Sequence, residues 1–265
     1  VNFGGFPEAV LQPEIQTAMD RFVANDIVDK VLLRDIPSLY GIQDAQELKR
    51  FFTVLAYNTG MEVSLEGLSQ ASGVAKNTIR KYLEYLESAF LIHRLHRLDI
   101  NAKRFKRVTH FKVYLTNPCI RSALFGPVTS DSEAMGYMAE TAIVSQIVPT
   151  LMAELIFYAR WKSGEVDLVT LGLFDQRPDS AREIKWTDRP IARPQEELKA
   201  LIQFCSKNKI KSAHVWSKST YAQIKIEGVD VNFSPISLRC AILAHSTDVL
   251  LQKGLDPRTF RPLDP

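Results

Sequence analysis

Four polar residues in the second half of the chain have the types and spacing that suit phosphodiester chemistry. Glu183 and Lys185 flank Ile184 in a strand-like run, so both project from one face while Ile184 points into a core. Asp167 lies on the preceding strand between Val166 and Leu168, whose side chains are expected to face the other side. Two carboxylates on neighbouring half-buried strands lose water and repel each other, so something must compensate them. A Mg²⁺ or Mn²⁺ ion held by Asp167 and Glu183 would do so through hard oxygen ligation, and the Lys185 ammonium would supply part of it. Such an ion lowers the pKa of a bound water and neutralises phosphate charge, while Lys185 orients the attacking water or steadies the transition state. Glu140, on the helix before these strands, would complete the ligand set or hold one of its members. The catalytic set is therefore Asp167, Glu183, Lys185 and Glu140. The alternative is an ordinary exposed strand pair at Glu183 and Lys185, with Asp167 as a turn-edge aspartate.

The elements that must position these residues read as a helix over about 133–152 and strand-like runs at 155–158, 165–173 and 181–185. A helix over 195–206 and a strand at 213–216 follow. This α-β-β-β-α-β order predicts a mixed sheet with helices on its faces. The last thirty residues read as one short strand, a helix from about 236 and a loosely held, proline-bearing tail.

Upstream, residues 1–60 read as helical. One helix covers about 20–35 and ends near Pro37. Asp44 caps a second that runs to Asn58, with Leu48, Phe51, Phe52 and Leu55 on one face and Gly60 as its stop. Ser64 then caps a short helix bearing Leu65, Leu68 and Ala71, Gly73 supplies a tight turn, and a helix from Lys76 turns Ile79, Tyr82, Leu83 and Leu86 inward. Two helices joined by such a turn make a helix-turn-helix, and the β-like runs 91–98 and 109–115 with a basic loop between them make a wing. DNA binding and simple protein packing are both open for such a module.

Charge distribution favours a polyanion. Between Arg94 and Lys112, seven basic residues face Asp99 alone and leave +6; the whole chain carries +3, so the remainder carries −3. Candidate phosphate contacts are Lys76, Arg80 and Lys81 on the second helix, partly offset by Glu84 and Glu87, and Lys103, Arg104, Lys106 and Arg107 on the wing. The competing reading is a solvated hairpin whose charges only keep it soluble.

At 265 residues, 46% hydrophobic and 24% charged, the chain is long enough for about two domains. No apolar stretch approaches the roughly 20 residues of a membrane span, and residues 1–7 lack a signal peptide's basic head and apolar body. Cys119, Cys205 and Cys240 are scattered and odd in number, which argues against a disulfide framework or zinc cluster and for a reducing, cytoplasmic setting. His93 and His96 lack the second ligand pair a metal site needs.

Asp167 followed by Glu183-x-Lys185, with strands around both and Glu140 upstream, resembles the PD-(D/E)XK nuclease core. The likeness extends through Gly4-Gly5-Phe6-Pro7-Glu8, Arg34-Asp35-Ile36, Tyr82 to Glu87, Lys112-Val113-Tyr114-Leu115, Gly136 to Glu140 and Gly164-Glu165-Val166-Asp167. In this order these segments resemble the C-terminal half of uncharacterised prokaryotic AAA-type ATP-binding proteins, over most of the chain up to about residue 235. Thr116-Asn117 stands where that family carries an acidic residue after the Lys-Val-Tyr strand, and Thr141 where an Asn follows the helical Glu. The resemblance implies an α+β / α/β chain in three parts. These are a lid-like helical subdomain over 1–60, a winged helix-turn-helix over 61–129 and a restriction-endonuclease-like mixed-sheet domain with a tail over 130–265. It implies DNA handling beside an ATPase domain of the full-length protein, with a homo-oligomer possible, no membrane, and either phosphodiester cleavage or a catalytically inactive binding and docking role. ATP belongs to that other domain, because no GxxxxGK[ST] run is present here.

Overall fold

Among the described residues, nine strands form a single mixed sheet in the order β1-β3-β2-β4-β5-β6-β7-β9-β8 in the computed structural model. It describes residues 1–244 apart from 4, 7, 9, 10, 19, 105–108 and 151–154. The expected tail beyond 244, and Lys106 and Arg107 of the basic loop, lie outside the described residues.

The first 60 residues are helical, as their apolar spacing predicts. A short helix Pro13–Gln16 leads into π-helical runs Asp20–Asp29 and Val31–Asp35, then a turn of α-helix Ile36–Tyr40. The coil therefore continues past Pro37 instead of ending there. Proline near the start of a fresh helical turn forfeits only an N–H that would lack a partner anyway. Gly41 ends it in the left-handed conformation at φ 67°. Helix α1 (Ala45–Tyr57) begins where expected: the Asp44 side chain accepts from the Glu47 N–H at 2.8 Å.

Strand β1 (Glu62–Ser64), three residues that the sequence pattern did not mark, pairs with β3. Ser64 then caps α2 (Leu65–Ser72) by accepting from Gly67, and Gly73 turns the chain at φ 74° into α3 (Lys76–Ser88). Ile79, Tyr82, Leu83 and Leu86 are buried as the heptad-like spacing requires. The hairpin of β2 (Ile92–Leu98) and β3 (His110–Leu115) follows, and α4 (Cys119–Phe125) closes this half. These elements share one core that includes Leu32, Phe51, Leu55, Leu83 and Val113.

The second half shows the α-β-β-β-α-β order. Helix α5 (Ala134–Thr150) precedes β4 (Ile156–Trp161), β5 (Gly164–Leu171) and β6 (Pro178–Ile184), which are antiparallel in succession. Helix α6 (Lys199–Asn208) crosses to β7 (Ser212–Ser217), parallel to β6. The single short strand expected afterwards is a hairpin, β8 (Ala222–Ile226) and β9 (Val229–Pro235), before α7 (Ile236–Ala244). Its turn residues Glu227 and Gly228 both have positive φ, 48° and 84°, the conformation of the tight turn that suits strand twist.

Strand β2 also pairs in parallel with β4, through His96↔Phe157, Arg97↔Tyr158 and Leu98↔Ala159. The sheet thus runs across the sequence boundary at 129/130 and brings β3 to the same face as α5. That face buries Leu95, Tyr114, Ile143, Tyr158, Leu168, Ile184 and Trp216. The opposite face packs on α6 through Phe157, Val166, Val169, Leu201, Phe204 and Val215.

Candidate functional site

Val166 and Leu168 do not share a face as simple alternation predicts; Val166 packs towards α6 and Leu168 towards α5. The cause is a bulge. The β4–β5 register shifts between Phe157↔Val169 and Ala159↔Val166, so Asp167 and Leu168 together oppose Tyr158. Both then point towards α5. The β5–β6 ladder runs only as far as Leu168↔Arg182. Beyond it the Asp167 carboxylate enters the gap, and its Oδ2 accepts the Ile184 N–H at 2.8 Å.

Glu140, Asp167 and Glu183 are all buried, at 6–7% exposure, which carboxylates are only when compensated. Part of the compensation comes from a residue that belongs, along the chain, to the basic run 94–112. Lys112, 3% exposed on β3, extends its Nζ to Glu140 Oε1 at 2.8 Å, Glu165 Oε1 at 2.7 Å and Asp167 Oδ1 at 3.4 Å. Its ammonium also lies 5.6 Å from the centre of the Tyr158 ring. Tyr114, two residues along the same strand and the same face, donates its hydroxyl to Glu140 Oε1 at 2.5 Å. Lys185 pairs with Glu183 Oε1 at 2.7 Å.

The site therefore joins the four expected residues with Lys112, Tyr114 and Glu165. A lysine among Phe111, Val113, Tyr114 and Leu115 was the available signal. A charge inside an apolar strand is either at an edge or buried with a partner. Around the cluster, Arg160 reaches Glu165 Oε2 at 3.2 Å and Glu62 Oε1 at 3.4 Å, and Tyr158 donates to Glu62 Oε2 at 2.7 Å. Thr141, beside Glu140, is fully buried and shares a hydrogen bond with Thr59 at 2.9 Å.

Protonation follows from burial and charge. Burial pushes Glu183 up to about 8, with the Asp167 charge adding and Lys185 opposing. Burial likewise pushes Glu140 up to about 7, opposed by Lys112. Burial alone would lower Lys112, but Glu140, Tyr114, Asp167 and Glu165 outweigh it and hold the ammonium well above its ordinary range. The Glu183 charge raises Lys185 in the same way.

The donor set can be tested for a divalent ion on one atom. With Lys185 on Oε1, Glu183 Oε2 is buried and has no hydrogen-bond partner among the described residues, which leaves this one oxygen open to a further cation. Asp167 and Glu183 supply the hard oxygens that Mg²⁺ and Mn²⁺ prefer. Two carboxylates suffice where waters and substrate phosphate complete the coordination, as Mg²⁺ commonly requires. Among the described residues no group of three or more His, Cys, Asp and Glu side chains is arranged to hold a metal by itself. His93 and His96, three apart on a strand, project to opposite faces.

On the first half, Lys76, Arg80, Lys81, Lys103 and Arg104 are exposed. Lys76 pairs with Glu66, and Arg80 donates to Asn77 at 2.7 Å. Arg104 turns back towards the sheet, donating to Gln176 at 2.6 Å with its guanidinium 4.7 Å from the Phe157 ring centre. Arg94 is tied to Glu87. Part of the local basicity is thus spent inside the molecule. Among the described residues no helix is long and apolar enough to cross a membrane.

Residues 1–131 match the model of a family described as Domain of unknown function (DUF8612). An uncharacterized protein of Haemophilus influenzae is 30% identical over 130 residues, covering 47% of this chain and 32% of that protein. The uncharacterized protein MJ1544 of Methanocaldococcus jannaschii is 23% identical over 179 residues, covering 65% of this chain and 38% of its own length. The chain thus spans about a third of the length of these curated relatives. No solved structure matches it significantly.

Proposed function

We propose that this chain is the DNA-handling module of an AAA-type ATPase, in which a winged helix holds the nucleic acid and a PD-(D/E)XK-type centre cleaves it with Mg²⁺ or Mn²⁺. The observation that carries the reading is the unpartnered, buried Glu183 Oε2 beside a second carboxylate, Asp167, at a break in the sheet. Such a bulged, splayed pair of strands is a common setting for reactive groups. The α-β-β-β-α-β order around it supports the same reading.

In this mechanism Asp167 and Glu183 would hold the ion, which when bound would supply Lewis acidity towards a water and charge neutralisation at the phosphate. The Ile184 N–H fixes the Asp167 carboxylate, so that group needs no rearrangement to serve. Lys185, held by Glu183 at 2.7 Å, presents a permanently charged donor to the attacking water or the scissile phosphate. Lys112 and Tyr114 hold Glu140 in place from the neighbouring hairpin. The exposed Lys76, Arg80, Lys81, Lys103 and Arg104, with Lys106 and Arg107, meet the backbone phosphates. The greater length of the relatives is consistent with a companion ATPase domain and with ATP being bound there.

Hydrolysis of duplex, single-stranded and branched DNA by the full-length protein with Mn²⁺ tests the proposal, with Asp167→Asn as the control. Cleavage lost in the variant supports it; no cleavage of any substrate by the parent protein rejects it. One observation favours the second reading, a catalytically inactive module that binds DNA or protein and docks the ATPase. Lys112 already supplies an internal cation to three of the carboxylates. Intact DNA affinity without cleavage would select that reading.

A further inference from the structure

A second polar cluster shares no residue with the acidic one and lies on the β6–β7 face beside α7. Arg182 and His214 are cross-strand neighbours in the parallel β6–β7 pair, and Ile184 and Trp216 pair two residues on, so Ser180, Arg182, His214 and Trp216 share one face. Arg239 comes down onto it from α7. The Arg182 and Arg239 guanidinium carbons lie 5.8 Å and 5.9 Å from the Trp216 ring centre. Among the described residues each arginine makes one side-chain hydrogen bond, Arg182 Nη1 to Thr170 Oγ1 at 2.7 Å and Arg239 Nε to Ser234 Oγ at 2.9 Å. Among the described residues most of the ten N–H donors of the two guanidiniums remain unspent.

Three further atoms sharpen the point. Ser180 Oγ, His214 Nδ1 and Trp216 Nε1 are buried and have no hydrogen-bond partner among the described residues. Each of them can donate. The face therefore gathers two cations and three unsatisfied donors, and no carboxylate among the described residues forms an ion pair with either arginine. Exposed Asp179 acts on Arg182 only through its field. Burial and mutual repulsion depress Arg182 to about 10 and His214 to about 4, which is the electrostatic cost of leaving such a cluster without a counter-ion.

We infer that this face is an oxyanion site that takes a phosphate group between Arg182 and Arg239, with His214 Nδ1 and Ser180 Oγ as additional donors. Two guanidiniums balance a phosphate dianion and match its oxygens in the forked geometry that ammonium groups lack. A single carboxylate offers only two coplanar oxygens to these donors, whereas a free phosphate brings two charges and four oxygens, and a backbone phosphodiester one charge with ester oxygens besides its two free ones. The phosphate belongs either to a free anion or to a nucleic-acid backbone. The inference stands apart from the proposed cleavage, because none of its residues belongs to the acidic site.

Inorganic phosphate titrated against the 265-residue chain at constant ionic strength is the direct test, read by melting temperature and by tryptophan fluorescence. A saturable rise in melting temperature, with a fluorescence change that Trp216→Phe abolishes, is expected. Arg239→Gln and Arg182→Gln should each weaken the apparent affinity about tenfold or more, the loss of one charge-assisted hydrogen-bonding group. Arg239→Gln keeps the test decisive if Arg182→Gln does not fold. Competition by a short oligonucleotide without terminal phosphates identifies a backbone site, and its failure to compete identifies a free anion. The inference is overturned if phosphate gives no saturable response, or if Arg239→Gln leaves that response unchanged.

Discussion

Asp167 Oδ2 takes the Ile184 N–H at 2.8 Å at the point where the β5–β6 ladder gives out. One carboxylate thus replaces a backbone acceptor and also faces the polar cluster. Its two roles separate by substitution. Asp167→Asn keeps an oxygen that can accept from Ile184, whereas Asp167→Ala leaves a buried N–H unsatisfied. Denaturant unfolding should show the Ala variant about 1–3 kcal/mol less stable than the Asn variant. Equal stabilities would mean that the hydrogen bond is dispensable to the fold.

Lys112 is the least replaceable cation of the site. Lys112→Met keeps the length and apolar fit of the side chain but leaves Glu140, Asp167 and Glu165 without their shared ammonium. Removing one partner from a buried ionic cluster costs about 3–5 kcal/mol, so a large fall in the unfolding midpoint is expected. Mn²⁺ should restore part of it, since a divalent ion can answer the same carboxylates. A variant as stable as the parent would show that the lysine is not the cluster's counter-ion.

What the sequence made legible, and what it did not, follows from the range of the forces involved. Caps at Asp44 and Ser64, the Gly73 turn and the inward faces of α1 and α3 are set by neighbours a few residues apart, and all are found where local chemistry predicts. The order of elements around Asp167 and Glu183 was equally readable from periodicity. The bulge was not, because the chain carries no Gly or Pro at Asp167 and Leu168 to mark it. Only the pairing with β4 exposes the extra residue. The interior place of Lys112 is hidden for a related reason. Along the chain it joins a run of surface cations, and only the parallel β2–β4 pairing brings β3 beside α5 and makes it an interior charge.

The pH dependence of metal binding follows from Glu183. Its carboxyl is pushed up to about 8 from the ordinary carboxylate range, so between those values the folded state holds a proton that the unfolded state has released. Metal-free stability should therefore fall as pH rises through this window, with the burial penalty fully present above about 8. A divalent ion must displace that proton, so Mn²⁺ affinity should grow by up to about tenfold per pH unit below 8 and level off above it. Thermal shifts with and without Mn²⁺ at pH 6.0 and 8.5 check this: the gain should be larger at the higher pH. An equal gain at both values would place the ion elsewhere.

Lys185 separates binding from turnover. Its ammonium is held by Glu183 and lies outside the proposed ligand pair, so Lys185→Ala should leave Mn²⁺ affinity largely intact. Cleavage should nonetheless fall by several kcal/mol in the barrier, about 10²–10³-fold, as when one preorganised donor is lost from a transition state. Affinity for duplex should not change, because it depends on the basic residues of the first half. Those residues have their own signature. Alanine at Lys103, Arg104, Lys106 and Arg107 together should flatten the salt dependence of DNA binding by about 0.9 in log–log slope for each phosphate contact removed. Arg104 is already engaged with Gln176 and Phe157, so it should contribute least of the residues described there. An unchanged slope would return the loop to a solubility role, and a Lys185→Ala variant that still cuts at the parental rate would remove the lysine from the chemistry.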